Sequence, residues 1–460
     1  MRKTLLLFSV LAFTSVHAQD FTADSLFIKR ISNNILSSND AYENLSYLTK
    51  KIGNRLAGSP GMVKSERWGL ETLRRYKADS AYLQQCMVPH WVRGGKDFAS
   101  VSYIQNGKRV TWPLNVLALG NSMGSGKKGI TAPVLVVKSF DDLEARKDQV
   151  KGKIVFFDIP FGDTLINPFE SYRAYAGYRG AAPSRSAKYG AVGILLRSMS
   201  HSTDNLPHTG ATRYNDSFPK IPAVAVGLRD VAKMSRLASN GVALSAVIRT
   251  NGMMLPDTIG HNVIAEIRGT DYPDEYITIG GHLDSWDVGE GAHDDGAGVV
   301  QTIEVLRAFR ALGYQPRHTI RFVLFANEEN GLRGGQKYAE AAKAANEKHI
   351  FALESDAGGF TPRSIGMSVP DAAWPKVAGW QRLLSYYGIQ RIDREGGGAD
   401  IGPLARLLKT PLGGYEPDSQ RYFDHHHADS DRLEAVNIRE LKLGAINMAA
   451  LVYLVDQYGL

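Results

Sequence analysis

The chain has 460 residues, 43% of them hydrophobic and 22% charged, which excludes a disordered, collagen-like or low-complexity protein and exceeds one average core, so two domains are expected. Its 54 basic and 47 acidic residues give a formal charge of +7, but no basic run is longer than a pair such as Lys127-Lys128, so nucleic acid is not indicated as a partner. The single cysteine, Cys86, excludes an intramolecular disulfide and any multi-cysteine metal site, and it reads as a small buried hydrophobe.

In chain order, residues 1–18 carry a basic start (Arg2, Lys3), an apolar run from Leu5 to Phe13, and Val16-His17-Ala18 ahead of Gln19. This three-part pattern predicts a signal peptide and a secreted or periplasmic protein. No later apolar stretch approaches the ~20 residues of a bilayer span, so stable membrane insertion is not expected. Between Ala41 and Tyr76 the apolar spacing is helical (Tyr42, Leu45, Leu48, then Trp68, Leu70, Leu73), with a break at Gly58-Ser59-Pro60-Gly61. Two helices joined by a Gly/Pro turn are predicted there. From about Trp112 to Thr250 short β-rich runs appear, at Val134–Val137, Ile154–Phe157, Val192–Leu196 and Ala223–Val226.

After Pro256 strands and helices alternate. Val263–Ile267, Tyr276–Ile279, Thr319–Phe325 and Ile350–Leu353 read as strands. Gly296–Leu312, Gly334–Ala345, Val377–Tyr387 and Arg439–Tyr458 read as helices. The alternation predicts an α/β three-layer sandwich with a mostly parallel, mixed sheet, in which chemistry gathers beyond the carboxyl ends of strands.

Acidic and histidine motifs occupy those places. Gly281-His282-Leu283-Asp284 puts a His and an Asp two residues apart after a strand. In extended chain both face one way, and the carboxylate can accept the second imidazole N–H; a structural histidine fits equally. His293-Asp294-Asp295-Gly296 opens a helix, either as acids favoured by the helix dipole or as a metal-bridging carboxylate. The pair Glu328-Glu329 follows an apolar strand, as a solvated loop pair or as a metal ligand beside a proton-handling group. Glu354-Ser355-Asp356 ends another strand, and His425-His426-His427 lies in an acidic segment ending at Asp431. Two histidines with three carboxylates form an oxygen and nitrogen donor set suited to a pair of zinc ions.

As an ordered set these motifs resemble the co-catalytic dizinc aminopeptidase family, closest to its carboxypeptidase Q (plasma glutamate carboxypeptidase) branch. The resemblance covers Ile52–Ser59, Pro207-His208-Thr209-Gly210 and everything after Pro256. It implies a zinc exopeptidase fold with residues 19–111 as the first part of the peptidase domain and 255–460 as its catalytic part. Residues 112–254 resemble an inserted protease-associated domain, through Lys151–Phe157, Tyr189–Ile194 and Ile221–Val224.

The resemblance further implies two zinc ions per chain. Asp294 would bridge them, His282 and Asp356 would complete one, and Glu329 and His427 the other. Glu328 would be the general base toward the attacking water, Asp284 would orient His282, and Asp294-Asp295 would be joined by a cis peptide. His427 is chosen because the family's ligand lies four residues before an Asp, here Asp431. Arg432 and Ala428 depart from the family's usual threonines. The loop Glu395–Asp400 resembles a substrate-side loop, although a glycine-rich loop can also be plain connection. A peptide substrate with a free N-terminus and a homodimer are implied. Three alternatives stay open: a glutamate-carboxypeptidase-like enzyme reading the C-terminus, a one-zinc glutaminyl-cyclase-like acyltransferase, and a non-catalytic receptor-like relative.

Overall fold

A computed structural model of the chain describes residues 21–460; the signal-peptide reading of residues 1–18 falls outside them. The strand His318–Phe325 is buried along its whole length, as a strand covered on both faces must be. Around it builds an eight-stranded sheet, ordered Ser80–Val92, Met253–Ile267, His318–Phe325, Tyr272–His282, Lys348–Ser355, Leu412–Pro417, Pro362–Ser368, Arg391–Asp393. The four strands from His318–Phe325 to Leu412–Pro417 run parallel, and antiparallel strands flank them.

Side chains alternate across the sheet. Ile320, Phe322 and Leu324 join Ile279 against the helices Ala297–Ala311 and Ile438–Tyr458. Val323 and Phe325 face the other way, against Tyr338 and Ala339 of Arg333–Ala344 and Leu404 of Gly402–Leu408. The period of two thus divides the core between two helical layers, and the predicted three-layer α/β sandwich is observed. Thr22–Ser37 and Asp40–Tyr47 add helices to the first layer, and Pro60–Arg75 packs Gly69 against Leu324 and Val263. Cys86 is buried, and burial pushes its thiol up to about 11.

The segment Val377–Tyr387 is not one helix but the pieces Trp374–Gly379, Gln381–Leu384 and Ser385–Tyr387. Trp380, wholly buried, sits at the break, with three-residue hydrogen bonds on both sides, Trp380 N–H to Val377 O and Leu383 N–H to Trp380 O.

Ser80–Val92 and Met253–Ile267 pair as a long antiparallel ribbon in which Val92 lies opposite Met253. The chain leaves the first sheet at that end of the ribbon and returns beside its point of departure. The intervening residues form a second eight-stranded sheet, ordered Lys108–Leu114, Phe98–Gln105, Ser245–Arg249, Ile130–Val137, Ile154–Phe157, Gly193–Arg197, Ala223–Val226, Val116–Ala118. Its first hairpin, Phe98–Leu114, begins before residue 112, where the sequence reading began the insertion. The hairpin turns on Asn106-Gly107, both at positive φ (51° and 74°), a turn signal in half-polar strands that apolar runs did not reveal. Helix Pro168–Ala187 covers one face of this sheet, and its core continues into Phe360, Tyr422 and Phe423 of the first half. Among the described residues no helix is long and apolar enough to cross a membrane.

Candidate metal centre

The carboxyl ends of the four parallel strands carry the motif residues to one place. His282 is the last residue of its strand, Glu328 and Glu329 lie just beyond Phe325, and Asp356 follows Ser355. Asp294 precedes the Ala297–Ala311 helix, and its peptide bond to Asp295 is cis. Close backbone approach makes this packing possible. A Cβ on Gly298 would lie 1.9 Å from Ser355 O, and one on Gly281 2.3 Å from Asp295 Oδ2.

Asp294 stands at the centre. Its Oδ1 is 3.3 Å from His282 Nε2, which is itself 3.3 Å from Asp356 Oδ1. Its Oδ2 is 3.2 Å from His427 Nε2, which is 3.1 Å from Glu329 Oε2. His426, left as a bystander by the sequence, stacks on His427 with ring centroids 3.5 Å apart and brings its Nε2 to 3.7 Å from Asp294 Oδ2. The candidate ligand atoms of His282, Asp294 and Asp356, and those of Asp294, His426 and His427, lie within 4.8 Å of one another.

The supports differ in one respect from the sequence reading. His282 Nδ1 is 3.0 Å from the main-chain oxygen of Asp284 and 3.8 Å from its carboxylate. The strand ends at His282, so the alternation assumed for extended chain does not reach Asp284. That carboxylate instead accepts the N–H groups of Glu328 (3.0 Å) and Glu329 (3.3 Å), and so holds the glutamate pair. Asp295 accepts the N–H of His282 at 3.0 Å, and Asp431 those of His293 (2.7 Å) and Asp294 (3.1 Å). Arg55, wholly buried, donates to the carbonyls of Leu283, Glu290 and Gly291 and pins the loop between the two metal-facing segments. None of these roles has a sequence signature of its own; Arg55 stood out only inside the Ile52–Ser59 resemblance.

Burial dominates the electrostatics of the acids gathered here. Burial, joined by the charges of its acidic neighbours, pushes Glu328 up to about 8 and raises Glu329 far above the usual carboxylate range. Burial likewise lifts Glu354 to about 7 and Asp431 to about 7. So many carboxyls cannot ionise together without cations between them. Asp294 Oδ2 and Asp356 Oδ1 are buried without a hydrogen bond and face imidazole nitrogens. Carboxylate and imidazole donors without thiolate, two sets sharing one carboxylate, fit a pair of zinc ions.

A cavity of about 890 Å³ opens beside Asp356, walled by Glu354, Gly396, Gly397, Gly398 and Tyr415. The glycine loop is packed rather than detached. Asp400 and Ile401 N–H groups donate to Glu354 Oε2 (3.1 and 2.9 Å), and a Cβ on Gly398 would lie 2.1 Å from the Glu354 carboxyl carbon.

Fold and site together define a metallopeptidase. Residues 262–452 match the profile of peptidase family M28. Mouse carboxypeptidase Q is 33% identical over 91% of this chain and 86% of its own length, and the Xenopus laevis protein 34% over 86% and 81%. The crystal structure of a peptidase M28 precursor from Shewanella amazonensis superposes with a TM-score of 0.89 at 30% identity, covering 95% of this chain and 97% of that one. An aminopeptidase from Aneurinibacillus sp. shares the fold at a TM-score of 0.62 and 20% identity, over 94% and 95% of the two chains. The chain belongs to peptidase family M28 and is a zinc metallo-exopeptidase.

Of the three adjacent histidines, His427 faces Asp294 and Glu329, whereas His425 turns to Ser430 Oγ (3.2 Å) and stacks beside His293. His427→Ala is therefore expected to lower zinc content measured by elemental analysis, and His425→Ala to leave it unchanged. The reverse pattern would place the ligand two residues earlier.

Proposed function

We propose that the protein is an exported dizinc exopeptidase that hydrolyses dipeptides or short peptides with a free N-terminus. The observation that carries the reading is the Asp294 carboxylate between two donor sets, beside a cavity large enough for a short peptide. His282 and Asp356 would hold one ion, Glu329 and His427 the other, and the Asp294 carboxylate would serve both. The leader pattern of residues 1–18 supports export. The second sheet with its covering helices is read as a protease-associated-like module.

Two zinc ions, when bound, polarise the scissile carbonyl and make water acidic enough to attack at neutral pH. Glu328 is the general base. Asp284 holds its backbone N–H, and its carboxyl takes the proton from the attacking water and returns it to the leaving amine. The Gly396–Gly398 wall and Glu354 bound the space for the substrate, and the acids around the centre receive its α-ammonium group.

Glu328→Gln is expected to cut kcat by roughly 10²–10⁴ while both zinc ions stay bound, since the amide keeps the shape but cannot take the proton. Loss of one zinc in this variant would make Glu328 a ligand instead.

Substrate class has its own test. An N-acetylated dipeptide removes the ammonium and leaves a buried carboxylate unpaired, a penalty of ~1–3 kcal/mol, or roughly tenfold to a few hundredfold in kcat/KM. Equal kcat/KM for the free and acetylated forms would overturn the free-N-terminus reading and favour an enzyme that reads the C-terminus.

A further inference from the structure

The inserted module does more than sit beside the peptidase half. Its residues 208 and 209 run alongside residues 426 and 427, with Thr209 N–H donating to His427 O at 2.9 Å and His208 Nδ1 2.7 Å from His426 O. Burial holds the His208 ring at a pKa of about 4, so it is neutral and its Nδ1–H is the donor. His427 itself stands at φ 62°, a left-handed conformation that a non-glycine residue keeps only when its surroundings fix it.

The His427 side chain is held from the same side. Its Nδ1 lies 3.2 Å from the Thr209 carbonyl and 3.3 Å from Arg179 Nη1. An imidazole that binds a cation through Nε2 carries its hydrogen on Nδ1 and needs an acceptor there. A guanidinium can only donate, so Thr209 O is the group that takes this hydrogen. Arg179 then acts on the acceptor. Its Nη1 reaches Thr209 O at 3.4 Å, and its Nη2 is anchored on Tyr172 Oη at 2.6 Å. The absence of a side chain at Gly210 makes room, since a Cβ there would lie 2.3 Å from the guanidinium carbon. Thr209 Oγ1 donates to Ala118 O at 2.8 Å, so the carbonyl is fixed from within the module.

The other side of the centre is built differently. His282 takes its acceptor, Asp284 O, and its N–H partner, Asp295, from the peptidase half. We infer that Arg179 and Thr209 of the inserted module are positioning residues for the ion at His427, so that the module governs the occupancy of one metal position and not of the other. The inference rests on the reading of His427 as a zinc ligand.

The test is zinc release from the full-length loaded protein by a graded chelator, with Arg179→Met and Tyr172→Phe. Arg179→Met is expected to lose one equivalent at ~10–100-fold higher free zinc than the parent requires, with the second equivalent unmoved. Its kcat should fall at limiting zinc and recover in excess zinc, with KM unchanged. Arg179→Lys, which keeps the charge but not the fork, should recover only part of the affinity. Tyr172→Phe should weaken the same ion by less, and it decides the matter alone if Arg179→Met does not fold. Wild-type affinity for both ions, or equal weakening of both, would overturn the inference. If His427→Ala loses no zinc, the ligand reading itself fails; if it loses one ion while Arg179→Met loses none, only this inference does.

Discussion

Two imidazoles approach one carboxylate from opposite sides, His282 at one oxygen of Asp294 and His427 at the other, each at little more than 3 Å. An arrangement of buried charge this dense has a cost that ordinary packing does not cover, because each added carboxylate raises the proton affinity of the rest. Cations bound among the donors would resolve it, and the surrounding structure keeps the donors in place. Asp431 holds the backbone on which Asp294 is carried, Asp295 holds that of His282, and Asp284 those of the two glutamates. The recurring device is a buried carboxylate that accepts main-chain N–H groups. It fixes a loop without spending a ligand.

The fold supplies the convergence. Four parallel strands end at one edge, and a strand order that places Tyr272–His282 between His318–Phe325 and Lys348–Ser355 opens a crevice there. Three of these strands deliver His282, the glutamate pair and Asp356 at or just past their ends, and Asp294 ahead of its helix and His427 beyond Pro417 join them there. The second sheet completes the edge from outside. Asn121 of that sheet's loops accepts from Asn330, beside the glutamate pair, while residues 208 and 209 hold the histidine segment. The glutamate pair and the histidine segment are thus both braced by residues of the second sheet's side.

Much of this was legible in the sequence, and for stated reasons. Apolar runs bounded by Gly and acidic residues marked the central strands, because strands buried on both faces are largely apolar. Spacing to Asp431 selected His427 from three adjacent histidines, and its Nε2 lies 3.2 Å from Asp294 and 3.1 Å from Glu329. What was not legible depends on tertiary contact. Ser80–Val92 mixes polar and apolar residues without a regular alternation, and its strand is defined by pairing with Met253–Ile267. Asp284 looked like the partner of His282, yet the chain turns there and offers a carbonyl instead. Arg179 and Thr209 lie more than two hundred residues before the histidine they face; Thr209 stood out only inside the Pro207–Gly210 resemblance, and Arg179 not at all. No local pattern encodes such a contact.

The central claim is that one carboxylate joins two metal positions. Anomalous diffraction at the zinc edge from crystals of the zinc-loaded protein measures this directly. The account predicts two peaks about 3.5–4 Å apart, each bonded to a different oxygen of Asp294. A single peak, or a second ion bound without Asp294, would contradict it.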